Sequence, residues 1–228
     1  MGWENVFHCD NDKFCQKVLQ HHFPYAQLYE DIREINGAEW KGKIDIVTGG
    51  FPCQPFSIAG QRRGTADNRF LWPEMLRIIR EIQPTWIVAE NVRGITNQKE
   101  GMVFERVCAE MEENGFEVQP FCIPACAVGA PHKRERMWFI ATNPNSERLS
   151  GSFKNEGFSI SNKKRQPQPF DGMFGTWDTV ARSVRGLRSL DGISSAMVRR
   201  EMKAYGNAIV PQVAYQIFQA INKSTLSE

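Results

Sequence analysis

The chain has 228 residues, a formal net charge of +2 and a hydrophobic fraction of 41%, with six tryptophans. This composition is typical of a globular protein and excludes an intrinsically disordered one, and the length allows one sizeable core with a small appendage. No run approaches the roughly 20 apolar residues that a membrane span requires, and no signal-peptide pattern follows Met1. The sequence therefore predicts a cytoplasmic protein without a membrane segment.

Six cysteines are scattered at irregular spacings and include no Cys-x-x-Cys pair. The pattern predicts reduced thiols, because a chain of this size does not depend on disulfides. Cys122 and Cys126 lie four residues apart, but neither a second pair nor a histidine cluster completes a zinc site. No metal site is predicted.

Positive charge is concentrated in two stretches of the sequence. Six lysines and arginines lie between Arg182 and Lys203 against two acidic residues, and a shorter basic run spans residues 132–136. Such clusters can neutralise nucleic-acid phosphates. Charge runs are more often solvated surface, so the clusters alone do not identify a nucleic-acid interface.

In chain order, short apolar runs alternate with helical patterns over the first two-thirds of the sequence. Strands are predicted at residues 44–47, 86–89 and 136–141, each short, apolar and bounded by polar or glycine residues. Apolar residues at helical spacing predict helices over 70–82 and 103–111, ended by a proline and an Asn-Gly pair respectively.

This alternation predicts an α/β fold with a mostly parallel sheet and helices on both faces. In such sheets ligands gather at the carboxyl ends of the strands, where the loops of Cys53 and Glu90 are expected. Residues 143–178 are instead rich in Ser, Asn, Gly, Pro, Lys and Gln. They predict a small irregular insert or a long loop, with a functional loop and a disordered linker both open. Helical spacing returns over residues 213–221.

The segment from Asp45 to Ser57, DIVTGGFPCQPFS, is the most specific pattern in the chain. It resembles the nucleophile motif of the cytosine-C5 DNA methyltransferase family. The resemblance implies that Cys53 attacks carbon 6 of cytosine as a thiolate, which requires an environment that lowers the thiol pKa. It also implies a cofactor contact for Pro52 and DNA contacts for Gln54 and Ser57. A lone cysteine would be interpreted as a buried thiol in a turn.

Two further motifs resemble the family's catalytic set. Ala-Glu-Asn-Val at 89–92 implies that Glu90 acts at the ring nitrogen N3 of cytosine as negative charge builds there. The stretch His-Lys-Arg-Glu-Arg at 132–136 matches a Gln-x-Arg-x-Arg motif, with His132 in place of Gln. Arg136 would then contact the cytosine carbonyl oxygen, and Arg134 would support the site or the thiolate.

The cofactor side matches the family in part. Tyr-Gly-Asn-Ala-Ile-Val-Pro-Gln-Val at 205–213 resembles its final motif, which implies that Asn207 lines the cofactor pocket. Asp10 falls where an acidic residue holds ribose hydroxyls, and Asp31 with Ile32 resembles the adenine-contacting pair. The first residues of the chain resemble the stretch just after the family's opening strand and glycine-rich loop, and no other glycine-rich loop replaces that one.

The resemblance implies a Rossmann-like S-adenosylmethionine-dependent methyltransferase fold. Residues 1–143 would form an N-terminally incomplete catalytic core, 144–188 a short target-recognition region, and 189–228 a segment returning to the core. Its DNA contacts would include Arg182, Arg185 and Arg188. The implied substrate is double-stranded DNA with a recognition site of few base pairs, unless another chain assists.

The implied activity is DNA cytosine-5 methylation in restriction-modification or phage DNA protection. A complementary N-terminal polypeptide or a restriction endonuclease is the expected partner. Three alternatives stay open: an inactive or split fragment that binds DNA without catalysis, an RNA cytosine methyltransferase, and a plain α/β interaction module. The last leaves the ordered motifs unexplained.

Overall fold

The computed structural model describes residues 3–52, 71–146 and 208–226. Six strands lie within these ranges: β1 (Phe7–Cys9), β2 (Gln27–Tyr29), β3 (Ile46–Gly50), β4 (Trp86–Val92), β5 (Glu117–Ile123) and β6 (Arg136–Thr142). Four α-helices accompany them: α1 (Lys13–His22), α2 (Trp72–Ile82), α3 (Met102–Glu112) and α4 (Pro211–Leu226). Among these described residues, no helix is long and apolar enough to span a bilayer.

Strands β3 to β6 form one sheet in the order β3-β4-β6-β5. β4 runs parallel to β3, and β6 runs antiparallel to both of its neighbours, so three of the four strands share one direction. Sequence patterns did not identify β5 or the reversed direction of β6. Antiparallel neighbours need only a short connection, and residues 124–135 join β5 to β6 without a crossover α-helix. As a consequence, Arg136 at the start of β6 lies at the same edge of the sheet as the ends of β3 and β4.

Two strand boundaries differ from the predicted ones in a way that matters for function. β3 begins two residues later than predicted and continues three residues further, through Gly49 and Gly50. β4 continues past Ala89 to Val92 because its pairing with β6 persists as far as Val92 opposite Arg136. The prediction that Glu90 follows the strand in a loop was therefore wrong, since Glu90 is part of β4 and its direction is set by the pleat.

The two predicted helices are confirmed as α2 and α3. α2 begins with a proline in its first turn and ends at Ile82, with Gln83 in the left-handed conformation and Pro84 next in the chain. Six side chains of α2 are buried: Trp72, Met75, Leu76, Ile78, Ile79 and Ile82. They join a core with Ile87 and Ala89 of β4 and Phe139 of β6. A β-carbon on Gly49 would lie 2.8 Å from Cε of Met75, so glycine lets α2 approach β3 closely.

β1 and β2 pair in parallel as a separate two-stranded sheet, linked through α1. The side chain of Asp12 caps α1 by accepting hydrogen bonds from its first backbone amides. Phe7 and Cys9 pack against the same core as α2, so this small sheet shares the interior of the larger one. Neither strand was predicted, because three residues are too few for a periodic pattern.

The chain divides into two compact units. Within the described ranges, the first unit comprises residues 3–52, 71–123, 135–146 and 224–226, and it contains both sheets with α1, α2 and α3. The second comprises 124–134 and 208–223, with a short 3-10 helix at Ala125–Val128 and most of α4. The apolar positions predicted to repeat along α4 are buried at Val213, Ala214, Ile217 and Ile221.

Candidate active site

Glu90 and Arg136 form an ion pair at the edge where β3 and β4 end. The Arg136 Nε atom lies 2.9 Å from Glu90 Oε1, and the two side chains are only 18% and 15% exposed. Since Trp138 is the register partner of Glu90 and Arg136 lies two residues before it on β6, all three side chains belong to one face of the sheet. A charge-assisted hydrogen bond with this little exposure to water is stronger than an ordinary surface pair. The structure thus brings together two of the predicted catalytic residues.

Glycine at position 50 leaves space beside this ion pair. Gly50 is the register partner of Glu90 on β3, and a β-carbon there would lie 3.5 Å from Glu90 Oε2. A β-carbon at this position would be in ordinary van der Waals contact with the carboxylate. Glycine therefore keeps the side-chain cover that β3 gives Glu90 to a minimum.

The chain leading to Cys53 is fixed at Phe51. The Phe51 ring is 5% exposed and packs 4.9 Å from the ring of Trp72, centroid to centroid. The Nδ2 atom of the buried Asn91 donates a 2.8 Å hydrogen bond to the Phe51 carbonyl. Pro52 comes next and is exposed. The predicted nucleophile Cys53, with Gln54 and Ser57, lies outside the described residues.

A second group of predicted site residues meets at the carboxyl ends of β1 and β2. Asp10 comes directly after β1, and Asp31 comes two residues after β2. Burial, then Asp31, Asp10 and Glu34 in that order, raise the pKa of the Cys9 thiol to about 11. Both carboxylates therefore act on the same thiol. The predicted pair Asp10 and Asp31 is brought together at one corner of the fold.

Each carboxylate at this corner is partly held by the backbone. Asp10 Oδ1 accepts from the backbone amide of Asp12 at 2.8 Å, and Asp31 Oδ1 accepts from that of Arg33 at 3.0 Å. Gln16, a buried residue of α1, donates from Nε2 to the Asp10 carbonyl at 2.7 Å. Within the described ranges the second carboxylate oxygen of Asp10 has no hydrogen-bond partner, so it remains an acceptor for a ligand hydroxyl.

Arg77 of α2 anchors the turn that carries Asp31 and Ile32. Its Nη2 atom donates to the Ile32 carbonyl and its Nη1 atom to the Ile35 carbonyl, both at 2.9 Å. The guanidinium is itself held by Glu74 and Glu81 on the same helix, both at 2.9 Å. The spacing of Glu74, Arg77 and Glu81 signals a helix-surface ion cluster, but nothing local signals its contact with a turn some 45 residues away in the sequence.

Substituting Asp31 with asparagine is expected to lower the pKa of Cys9, because it removes a negative charge that disfavours the thiolate. The alkylation rate of Cys9 by iodoacetamide would then rise at lower pH than in the unsubstituted chain. Peptide mapping by mass spectrometry across a pH series measures this. Cys108 is the matched control, since burial and then Glu112 raise its pKa, also to about 11. An equal shift at both cysteines would contradict the proximity of Asp31 to Cys9.

Arg134 belongs to the second unit, whereas Glu90 and Arg136 belong to the first. Its φ of 34° lies in the left-handed region, which side-chain-bearing residues rarely adopt, and such positions cluster at functional sites. Its Nη2 atom donates to the carbonyl of Ala208. Asn207, Arg182, Arg185 and Arg188 lie outside the described residues. The role expected for Arg134 stays a prediction.

Comparison with known proteins places these residues in a family context. The family described as "C-5 cytosine-specific DNA methylase" matches residues 1–186. The Type II methyltransferase M.PspPI of Psychrobacter is 35% identical over 142 residues, which cover 61% of this chain and 34% of that protein. The Type II methyltransferase M.Eco47II of Escherichia coli is 32% identical over 143 residues, with the same coverage. The matched part of the chain thus spans about a third of the length of these curated relatives.

A solved structure supports the same assignment. The chain resembles a DNMT2 variant from Spodoptera frugiperda, with 25% identity and a TM-score of 0.52 over 64% of this chain and 45% of that one. The α/β architecture is therefore the Rossmann-like methyltransferase fold, with β6 as its reversed strand. The family match extends over most of the sequence and includes the segments that carry Glu90, Arg136 and the Asp10–Asp31 corner. The chain belongs to the C-5 cytosine-specific DNA methylase family.

Proposed function

We propose that this chain carries the catalytic residues of a DNA (cytosine-5-)-methyltransferase. Its substrate is a cytosine flipped out of duplex DNA, because carbon 6 of a stacked base cannot be reached by a protein nucleophile. Its biological setting is restriction-modification or phage DNA protection in the cytoplasm. The observation that carries the proposal is the Glu90–Arg136 ion pair, in which Nε and Oε1 are 2.9 Å apart and both side chains are little exposed. Asn91, the residue after Glu90, hydrogen-bonds to the Phe51 carbonyl, two residues before Cys53.

The two paired side chains match the edge of a cytosine ring. A guanidinium donates to a carbonyl oxygen such as O2 of cytosine and stays charged throughout. A carboxyl group beside it holds a proton at N3 as negative charge develops there. In the free protein Arg136 and Glu90 satisfy each other. Binding of the base replaces that contact with two contacts to the ring, so neither charged group is left buried without a partner.

Cys53 is the proposed nucleophile. Its thiolate forms a bond to carbon 6, and the electron pair of the 5,6 double bond moves into the ring, where Glu90 and Arg136 stabilise it. Carbon 5 is then nucleophilic and would take the methyl group from the sulfonium sulfur of the donor, which would leave as a neutral thioether. The C5 proton passes to water, and its bonding electron pair restores the 5,6 double bond as the bond between sulfur and carbon 6 breaks. The thiolate is recovered at the end of the cycle.

The Asp10–Asp31 corner fits S-adenosylmethionine, the methyl donor that the family generally uses. The open carboxylate oxygen of Asp10 suits a ribose hydroxyl, and the anchored turn at Asp31 and Ile32 suits the adenine end. When bound, this cofactor supplies the methyl group. Pro52 and Asn207 are the further proposed contacts.

DNA contacts are proposed for a second set of residues, namely Gln54, Ser57, Arg182, Arg185 and Arg188. Residues 144–188 form the proposed target-recognition region between the catalytic core and the returning segment 189–228. A region this short supports a recognition site of few base pairs. A restriction endonuclease of the same specificity is the proposed functional partner.

Replacing Cys53 with serine tests the proposal. A serine hydroxyl is far less ionised than a thiol near neutral pH, so methyl transfer to duplex DNA is expected to fall by at least about 10⁴-fold. Transfer of a radiolabelled methyl group to unmethylated DNA measures it, with equilibrium binding of S-adenosylmethionine and DNA measured beside it. Cys126→Ser is the control, because Cys126 is an exposed free thiol. Methylation that survives in Cys53→Ser would refute the proposal.

One alternative function is favoured by a specific observation. The first curated relatives match over only 61% of this chain, so a DNA-binding protein without methyl transfer is the second candidate. The paired measurements of transfer and binding separate the two functions. A protein of the second kind would bind S-adenosylmethionine or DNA yet show no transfer in the unsubstituted chain, whereas the enzyme shows binding and transfer together.

A further inference from the structure

Asn91 is a buried polar residue whose side chain the proposed reaction does not use. It is 3% exposed and lies next to Glu90 in β4, with its side chain on the opposite, core-facing side of the sheet. Burying an amide without partners is unfavourable, so a buried asparagine must be hydrogen-bonded. Its two bonds show what the residue holds in place.

The Asn91 amide group bridges two segments of the chain. Nδ2 donates to the Phe51 carbonyl at 2.8 Å, and Oδ1 accepts from the backbone amide of Val92 at 2.8 Å. The second bond fixes the orientation of the amide, so that its N–H group points at Phe51. The Phe51 ring is held independently, in the core against Trp72 and Phe139. Both the ring and the carbonyl of Phe51 are therefore immobilised.

We infer that Asn91 is a positioning residue that sets where the nucleophile stands relative to Glu90. The inference rests on the proposed function and deepens it. Phe51 is two residues before Cys53, and Asn91 is adjacent to Glu90, so the Asn91 side chain links the segment that leads to the nucleophile with the strand that carries Glu90. Pro52 lies between Phe51 and Cys53 and restricts the backbone, so a displacement of the Phe51 carbonyl would displace Cys53 as well. Asn91 itself contacts no substrate.

Two substitutions separate positioning from simple packing. Asn91→Ala removes both hydrogen bonds, whereas Asn91→Asp keeps an acceptor for the Val92 amide but replaces the donor with an oxygen facing the Phe51 carbonyl. Thr85→Val is the matched control. Thr85 is equally buried and immediately precedes β4, at the end of the strand away from Asn91. The substitution removes one side-chain hydrogen bond of 2.7 Å, between Thr85 and Ser146. Asn91→Ser retains a donor, so its rate of tritium release is expected to lie between the rates of the native chain and Asn91→Ala.

The measurement is release of tritium from carbon 5 of cytosine in unmethylated duplex DNA. Addition of Cys53 to carbon 6 lets carbon 5 take up a proton from water, and reversal then expels tritium, so the assay reports the addition without methyl transfer. A nucleophile misplaced by about 1 Å loses on the order of 10²-fold in rate, which is the decrease expected at saturating DNA for Asn91→Ala and Asn91→Asp. The DNA concentration for half-maximal rate is expected to stay unchanged, as is the rate of Thr85→Val.

Three results would overturn the positioning role while leaving the proposed function intact. These are native exchange rates in Asn91→Ala and Asn91→Asp, an equal loss in Thr85→Val, or a change confined to the half-saturating DNA concentration. Thermal melting of every variant identifies a loss that comes from unfolding, and Asn91→Asp and Asn91→Ser provide the test should Asn91→Ala not fold. An unsubstituted chain that releases no tritium would overturn the proposed function and the role of Asn91 together.

Discussion

Replacing Glu90 with glutamine is expected to lower the rate of methyl transfer by about 10²- to 10⁴-fold, the usual contribution of a positioned acid or base. The substitution changes one carboxylate oxygen to an amide nitrogen. It keeps an oxygen that can accept from Arg136 Nε, which lies 2.9 Å from Oε1 in the native chain. It removes the group that exchanges a proton with N3. The decrease should therefore appear in the maximal rate, measured by methyl transfer at saturating DNA and S-adenosylmethionine.

Glu135→Gln is the matched control for this prediction. Glu135 is adjacent to Arg136 in the sequence and pairs through its carboxylate with Arg93, whose side chain is 61% exposed against 32% for Glu135. An exposed pair contributes at most about 1 kcal/mol, so its loss should alter neither folding nor the maximal rate appreciably. Equal losses in Glu90→Gln and Glu135→Gln would show that general charge, and not a proton at N3, governs the reaction.

Much of the catalytic set could be predicted from the sequence because each residue lies in a contiguous motif. Glu90 and Arg136 were both predicted, and the structure brings them into contact. Sequence patterns did not reveal the reason they meet. That reason is the reversed direction of β6, which places the first residue of one strand beside the last residues of another. Strand direction depends on connections and long-range pairing, which a local apolar pattern does not contain.

The supporting residues were harder to predict for the same physical reason. Gln16, Arg77 and Asn91 act on backbone carbonyls that lie between 6 and 45 positions away in the sequence. A hydrogen bond to a backbone carbonyl is independent of the identity of the residue that accepts it, so no pair of residue types marks the contact. The partner of Asn91, the Phe51 carbonyl, became apparent only from the packing of β3 beside β4.

Truncating Trp72 to alanine is the prediction with the largest expected effect on stability. The side chain is fully buried, and its indole nitrogen donates to Glu110 Oε2 at 2.6 Å. Removing a buried tryptophan leaves a cavity that partial relaxation does not fill, at a cost of about 3–5 kcal/mol. Equilibrium unfolding in urea, followed by circular dichroism, measures the change in the free energy of unfolding. Trp72→Phe fills most of the same volume and is expected to lose roughly 1–2 kcal/mol, chiefly from the lost hydrogen bond.

The position of Trp72 makes this a test of the site as well as of the core. The Trp72 ring packs on the Phe51 ring, two residues before Cys53. Asn91 donates a hydrogen bond to the carbonyl of the same Phe51. Trp72→Phe keeps an aromatic surface against Phe51, so the rate of tritium release should stay near the native value while stability falls. Trp72→Ala removes that surface, so the rate of the folded fraction should fall as well. A Trp72→Ala protein that is as stable as the native chain would show that the α2–β3 interface contributes little to the free energy of unfolding. One that is destabilised but releases tritium at the native rate would show that the Asn91 hydrogen bond fixes Phe51 without help from its ring.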